Sequence, residues 1–179
     1  MLGKRTLCFI SILLGLLLIS GFAYGKGKYG PGASDTEIKV GHTNPYSGPA
    51  SAYGVIGKAI GAYFQMINDQ GGIKGRKINF ISYDDGYSPP KTVEQIRRLV
   101  EQDQVLLLFQ TLGTPTNTAI WEYVNKKKVP HIFIATGATK WGDPKGHPWT
   151  MGCQPNYQSE GRIYAKYVLD NLPKAKAGI

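Results

Sequence analysis

Short strand-like segments alternate with helical segments along most of the sequence, and this alternation limits the fold more than any other feature of the chain. Apolar residues at helical spacing predict helices at about 53–70, from about 89 to 100, at about 115–127 and at about 158–172. The strand-like segments are EIKVGHTN, RKINFISY, VLLLF and HIFIA. Strands that alternate with helices pair in parallel through right-handed crossovers. The sequence therefore predicts an α/β fold with a doubly wound parallel sheet.

Loops rich in glycine, proline and hydroxyl side chains follow the predicted strands. In doubly wound sheets, ligands bind beyond the carboxyl ends of the parallel strands. The loops at those ends are TNPYSGP, YDDGYS, QTLGTPTN and ATGATKW. We therefore expect a ligand-binding crevice among these loops. We also expect the stretch from Thr136 to about Gln154 to form a loop before the last helix.

The loop QTLGTPTN predicts a helix start that could also serve as an anion site. Thr114 can cap the third helix, and Pro115 suits its first position. The amide N–H groups of Thr116 and Asn117 would then face a bound anion such as a carboxylate, and Gly113 would let the backbone approach it closely. Ordinary helix capping explains Thr114 and Pro115 equally well.

The loop ATGATKW offers a second small, hydroxyl-bearing strand end. Gly137 permits close approach of a ligand, and Thr139 can donate and accept hydrogen bonds. Loop carbonyls and Thr139 could hold an ammonium group while the preceding loop holds a carboxylate, so a zwitterion could bind without a buried charged side chain. Tyr53 could pack on the ligand side chain or contribute only to ordinary packing.

The first residues predict export from the cytoplasm. Lys4 and Arg5 precede the apolar stretch Leu7–Phe22, and Ala23-Tyr24-Gly25 resembles a cleavage site, so residues 1–25 are interpreted as a signal peptide. An uncleaved membrane anchor is the alternative. Residues 26–35 are glycine-rich and polar and predict a flexible lead-in to the domain at 36–179. Export would place the protein in the periplasm.

Charge and motifs argue against several classes of function. The formal net charge is +9, but no basic run with interleaved aromatic residues occurs, so nucleic acid is not an expected partner. The histidines and Cys153 lie at no recognised metal-ligand spacing, and we expect neither a metal nor a cofactor. No P-loop or nucleophile elbow occurs. Asp84 and Asp85 could serve acid–base catalysis, but a solvated, turn-forming pair is the favoured interpretation.

Several segments, taken together, resemble a known family. They are IKVG followed by SGPASAYG, then INDQGGIKGRKINFISYDDGYSP, LLLFQTLGTPTNTAI, VPHIFIATGAT and EGRIYAKYVL. The chain resembles the leucine/isoleucine/valine-binding type of periplasmic substrate-binding protein, the receptor component of ABC transporters. The resemblance covers about residues 36–172. It implies the type I periplasmic binding protein fold, with two lobes that close on a ligand and deliver it to a membrane permease.

The resemblance also implies ligand contacts, carried over position by position. The aromatic residue after the SGP turn corresponds to Tyr53. The strand end that binds the ligand's carboxylate corresponds to Leu112, Gly113 and Thr114, and the small residue and threonine of the next loop correspond to Gly137 and Thr139. Gly113 replaces a serine of the branched-chain receptor, so the ligand is expected to be an amino acid, an amide or a small carboxylate rather than leucine in particular.

The resemblance implies a second lobe that these residues do not include. We therefore expect the chain to be a truncated N-terminal lobe, at 36–179, that binds its ligand weakly. The leading hypothesis is an exported solute receptor that is not an enzyme. An α/β enzyme of hydrolase type and a ligand-sensing domain of the same fold are the alternatives.

Overall fold

The computed structural model describes residues 29–176 and residue 178. The predicted signal peptide lies outside the described residues, as does the start of the predicted lead-in. The strands are β1 (Glu37–Asn44), β2 (Lys77–Asp84), β3 (Leu107–Phe109), β4 (His131–Ile134) and β5 (Thr150–Gly152). The helices are α1 (Gly54–Asp69), α2 (Pro89–Arg97), α3 (Thr114–Lys126) and α4 (Tyr157–Asn171). A π-helical turn extends α2, and a 3-10 turn precedes α1.

The strands form one parallel sheet in the order β2-β1-β3-β4-β5. β1 pairs with β2 along its whole length, from Glu37 opposite Lys77 to Asn44 opposite Asp84. On its other side β1 pairs with β3, and β3 pairs with β4. β2 lies on one side of β1, and β3 and the later strands lie on the other side. The order in which the strands are added therefore reverses after β2, and ligand crevices form at such a reversal. The predicted α/β class and doubly wound parallel sheet are confirmed.

The stretch from Thr136 to Gln154 is not the simple loop that the sequence predicts. It contains a 3-10 turn at Thr139–Gly142 and the short strand β5, which pairs in parallel with β4. The strand is only three residues long and shows no alternation of apolar and polar residues. Its pairing with β4 is a long-range contact, which local sequence does not encode.

The core lies between β3 and the helices α2 and α3. Its buried members come from the α2 region, β3 and α3: Ile96, Leu99, Val105, Leu108, Ile120 and Val124. Leu108 is fully buried at the centre of β3, within the run VLLLF. An unbroken apolar run is typical of a parallel strand that is covered on both faces, and the spacing of the helical members follows the predicted helix period.

Helix α4 differs from the others because none of its residues is buried. Its apolar positions face solvent: Ile163 is 66% exposed and Tyr167 is 62% exposed. Among the helices of the described residues, none combines the length and apolar character needed to cross a membrane.

We expect Leu108→Ala to lower the free energy of unfolding by about 2–5 kcal/mol, because the deletion leaves a cavity in the centre of the core. Urea unfolding monitored by circular dichroism measures the loss. Leu169→Ala is the matched control: this leucine lies on α4 and is 71% exposed, so its replacement should change stability by less than about 0.5 kcal/mol. Equal losses for the two variants would show that the core is placed wrongly.

Candidate functional site

Helix α3 begins beside the carboxyl end of β3 through a turn that only glycine adopts easily. Gly113 is the N-cap, with φ of 102° and ψ of 145°. Thr114 therefore occupies the first helical position and Pro115 the second. The prediction that Thr114 caps the helix is wrong by one residue, because the glycine makes the turn and no side chain caps it. A Cβ on Gly113 would lie 2.4 Å from Cε2 of Tyr87.

Buried side chains stabilise the turn at Gly113 through hydrogen bonds to its backbone. The Asn117 amide donates to the carbonyl oxygens of Thr111 (3.0 Å) and Gly113 (2.6 Å), and the Thr116 hydroxyl also donates to Gly113 (3.0 Å). The backbone N–H of Asn117 donates to the Gly113 carbonyl oxygen as the first helical bond, so the expectation that this N–H faces an anion is wrong. The N–H groups of Thr114 and Thr116 are then the first-turn donors that no carbonyl of the helix can satisfy. They give the start of α3 its partial positive charge.

The two buried histidines, His42 and His131, lie in the strands β1 and β4, and burial favours their neutral form. Burial lowers the pKa of His42 to about 4 and the pKa of His131 to about 3. A His42 ring nitrogen lies 2.8 Å from the carbonyl oxygen of Phe109, and a His131 ring nitrogen lies 2.5 Å from the Thr111 hydroxyl. No group of three or more potential metal-binding side chains occurs within the described residues.

The acidic pair at the end of β2 forms a turn, and its two carboxylates differ in burial. Asp85 is fully buried and accepts hydrogen bonds from the Thr92 hydroxyl (2.9 Å) and the Tyr87 backbone (3.0 Å), which fixes the start of α2. Asp84 accepts backbone hydrogen bonds from Tyr46 and other loop residues. The interpretation as a turn-forming pair is confirmed, because each carboxylate accepts a hydrogen bond from the backbone N–H two residues further on. The interpretation as a solvated pair is wrong for Asp85, which is buried, whereas Asp84 stays partly exposed.

A cavity of about 600 Å³ lies at the carboxyl ends of the strands. Of the predicted site residues, Tyr53, Leu112 and Gly113 line it. The other lining residues are Ile56, Tyr87, Ala135, Gln154, Pro155, Tyr157, Glu160, Ile163 and Tyr164. Asn44 positions Tyr53 by donating to its carbonyl oxygen at 2.9 Å. The cavity is therefore bounded by the start of α3 on one side and by α4 on the other.

The remaining predicted residues lie around this cavity without lining it. The Thr114 hydroxyl bonds the hydroxyl of Thr136. The ring of Tyr157 covers Gly137, where an added Cβ would lie 2.6 Å from Cδ1. Thr139 lines a separate cavity of about 340 Å³ and accepts a hydrogen bond from Gln158 at 3.4 Å. A ligand role for Thr114, Gly137 and Thr139 stays a prediction.

Tyr157 lines the cavity beside the end of β4, where Gly137 and Thr139 were expected to contact the ligand. Its hydroxyl lies 3.2 Å from the Thr136 hydroxyl, and its backbone N–H donates to the Gly137 carbonyl at 2.8 Å. The hydrogen bond with Thr136, followed by one with the Gly137 backbone, lowers the pKa of Tyr157. The side chain is still 52% exposed. The phenol therefore forms an edge of the cavity that remains in contact with water.

The cavity residues of α4 are not among those that the sequence predicts. Tyr157, Glu160 and Tyr164 stand at positions i, i+3 and i+7, which places them on one face of a helix. This spacing is visible in the sequence, but it does not tell which element the face meets. Tyr87 was missed for a related reason, because its approach to Gly113 depends on the pairing of distant strands.

These features define an α/β domain with a cavity at the topological reversal of the sheet. Residues 37–179 match the family model described as periplasmic binding protein. The chain belongs to the periplasmic binding protein family.

Relatives support this assignment at modest identity. The leucine-specific-binding protein of Salmonella typhimurium is 27% identical over 151 residues, which make up 83% of this chain and 40% of the relative. The chain thus spans well under half the length of that protein.

Solved structures show the same fold. A possible leucine/isoleucine/valine-binding protein from Rhodopirellula baltica aligns with a TM-score of 0.70 and 22% identity, over 82% of this chain and 38% of that one. A branched-chain amino acid transporter substrate-binding protein from Streptococcus pneumoniae, solved with isoleucine, aligns with a TM-score of 0.67 and 25% identity. That alignment covers 77% of this chain and 39% of the other.

We expect Gly113→Ala to lower the free energy of unfolding by more than about 1 kcal/mol, because a side chain at positive φ is strained and would also collide with Tyr87. Gly161→Ala is the control, since Gly161 lies within α4 with open space around it and alanine favours a helix. Urea unfolding of both variants measures the difference. A Gly113→Ala variant as stable as Gly161→Ala would contradict the proposed turn.

We expect Asp84 to make stability depend on pH. Burial raises the pKa of this carboxyl, but hydrogen bonds from the Ser47 hydroxyl and from the backbones of Gly86, Ser47 and Tyr46 outweigh it, so the pKa lies below its usual value. The stabilisation is therefore present above the unfolded-state pKa of about 4 and is lost as the pH falls through the folded-state pKa.

The comparison of wild type with Asp84→Asn isolates this effect from the other carboxyl groups. At pH 7 the variant should be less stable by about 1–2 kcal/mol, because charge-assisted hydrogen bonds are lost. The difference should shrink as the pH is lowered below about 4. Urea unfolding at a series of pH values measures it, and a difference that does not change with pH would contradict the assignment.

Proposed function

We propose that residues 36–179 form the N-terminal lobe of an exported solute receptor that binds an amino acid or a small carboxylate for an ABC importer. The observation that supports this most is the cavity at the strand ends, lined by the glycine turn that begins α3, in a chain of the periplasmic binding protein family. The leucine-specific relative and the isoleucine-bound neighbour support the choice of ligand class.

The start of α3 suits the carboxylate of such a ligand. The N–H groups of Thr114 and Thr116 are unpaired within the helix, and the helix dipole adds a partial positive charge. Gly113 has no side chain to block the approach, and it lines the cavity. The hydroxyl of Thr114 lies at the same strand end, paired with Thr136. Backbone donors bind a carboxylate without selecting the rest of the molecule.

Apolar and aromatic groups on the first lobe suit the ligand's side chain. Tyr53, Ile56 and Leu112 line the same cavity as Gly113. Tyr53 is 56% exposed, so a ligand that packs on its ring would remove apolar surface from water. Ligand cavities commonly combine such surfaces with a few convergent polar groups.

The family also supports the proposed location and partner. Residues 1–25 would direct export to the periplasm, where the receptor would deliver its ligand to the membrane permease. Such a receptor binds its ligand without chemical change, and we assign it no cofactor. The acidic pair on which an enzymatic hypothesis would rest is committed to loop hydrogen bonds and does not line the cavity.

An NMR titration of the chain with L-leucine, L-isoleucine and 3,4-dihydroxybenzoate tests the proposal. We expect at least one probe to shift the amide signals of Gly113, Thr114 and Thr116 with a dissociation constant on the order of 1 mM. Binding should be weak because the α4 side of the cavity is exposed. D-glucose, which has no carboxylate, is the control and should leave these signals unchanged. The absence of any shift at the start of α3 with every carboxylate probe would overturn the proposal.

A further inference from the structure

One carboxylate lines the main cavity, and a neighbouring tyrosine orients it. Glu160 and Tyr164 lie one helical turn apart on α4, and both line the cavity that Gly113 lines. The Tyr164 hydroxyl donates to Oε1 of Glu160 at 2.7 Å. Glu160 is only partly exposed, unlike most residues of its helix. The tyrosine therefore restricts the carboxylate at the cavity wall.

Glu160 has no basic partner within the described part of the chain. The salt bridges found there use other acids, namely Glu101, Glu122, Asp143 and Asp170. Asp170, on the same helix, is paired with Lys166 at 2.7 Å. Two acids of one helix thus differ: Asp170 is paired with a lysine of its own helix, whereas Glu160 is bonded to a phenol and lines the main cavity.

Thr139 does not reach this cavity, so the ammonium site expected beside it has to be found elsewhere. We propose that Glu160 binds the ammonium group of the ligand, with Tyr164 as the residue that positions the carboxylate. This inference rests on the proposed function and narrows its ligand to an amino acid in zwitterionic form.

The charge arrangement gives a physical reason for selectivity. An amino acid brings an ammonium group to Glu160 while its carboxylate binds at the start of α3, and a charge-assisted hydrogen bond results. A carboxylate of the same shape without the ammonium group leaves Glu160 unpaired and facing a ligand of like charge, which disfavours binding. The cavity should therefore discriminate between an amino acid and its deaminated analogue.

Matched ligand pairs test this directly by NMR titration of the whole chain. The pairs are L-leucine with 4-methylpentanoate, and L-phenylalanine with 3-phenylpropanoate. In the wild-type protein we expect the amino acid of at least one pair to bind about tenfold more tightly than its analogue. Glu160→Gln should reduce that ratio to less than about threefold, because it weakens binding of the amino acid and removes the like charge that disfavours the analogue.

Asp170→Asn is the matched control, because it removes an acid from the same helix outside the cavity lining, and it should keep the wild-type ratio. Tyr164→Phe should lower the ratio partly, since it frees the Glu160 carboxylate without removing its charge. If circular dichroism shows that Glu160→Gln does not fold, Tyr164→Phe replaces it, and the same affinity ratio between amino acid and analogue is measured.

The outcomes separate this inference from the proposed function. The role of Glu160 would be overturned if both members of each pair bound the wild-type protein equally, or if the ratio were unchanged in Glu160→Gln. Either result would still agree with a receptor that binds carboxylates. Failure of every probe to bind the wild-type protein would overturn the proposed function and this inference with it.

Discussion

The Asn117 side chain makes the contact on which the site depends. Its amide reaches back to the carbonyl oxygens of Thr111 and Gly113 and so ties the end of β3 to the start of α3. Asn117 is fully buried, so this bond forms away from water, where an unsatisfied amide is costly. Because the turn is fixed in this way, Gly113 keeps its unusual backbone conformation at the start of α3.

The two sides of the cavity differ in how firmly the structure holds them. On the sheet side, the turn at Gly113 stands on a core of fully buried residues and on hydrogen bonds from neighbouring strands. On the other side, α4 contributes Tyr157, Glu160 and Tyr164 without burying any of its residues. The sheet side therefore suits a fixed contact such as a carboxylate site. The α4 side suits contacts that distinguish one ligand from another, and we place the proposed ammonium contact there.

The binding hypothesis changes in one respect through the structure. From the sequence, both charged groups of a zwitterion are expected to bind at adjacent strand ends, and Thr139 is expected to bind the ammonium group. In the structure, Tyr157 covers Gly137 and hydrogen-bonds Thr136, and Thr139 faces a different cavity. The carboxylate pole stays at α3 in our proposal, and the ammonium pole moves to Glu160. In this proposal, α4 supplies the ammonium contact that the sequence places at Thr139.

The sequence by itself determined the alternation of strands and helices, the buried run VLLLF and the glycine at the start of α3. These features follow from local rules, since apolar period and turn preference are properties of neighbouring residues. Tyr53 and Gly113 could be named as cavity residues because the ends of parallel strands meet at one edge of a sheet, and Leu112 was implied by the family resemblance. Their role in binding is a prediction that the titrations test.

Only the tertiary structure decided which residues complete the cavity. β5 is too short to show a pattern and exists through its pairing with β4. Asp85 appears as a turn residue in the sequence, yet converging loops bury it fully. Glu160 and Tyr164 share a helix face that the sequence does show, but the position of α4 against the strand ends depends on contacts between residues far apart in the chain. Such contacts follow from packing in three dimensions, which local sequence preference does not encode.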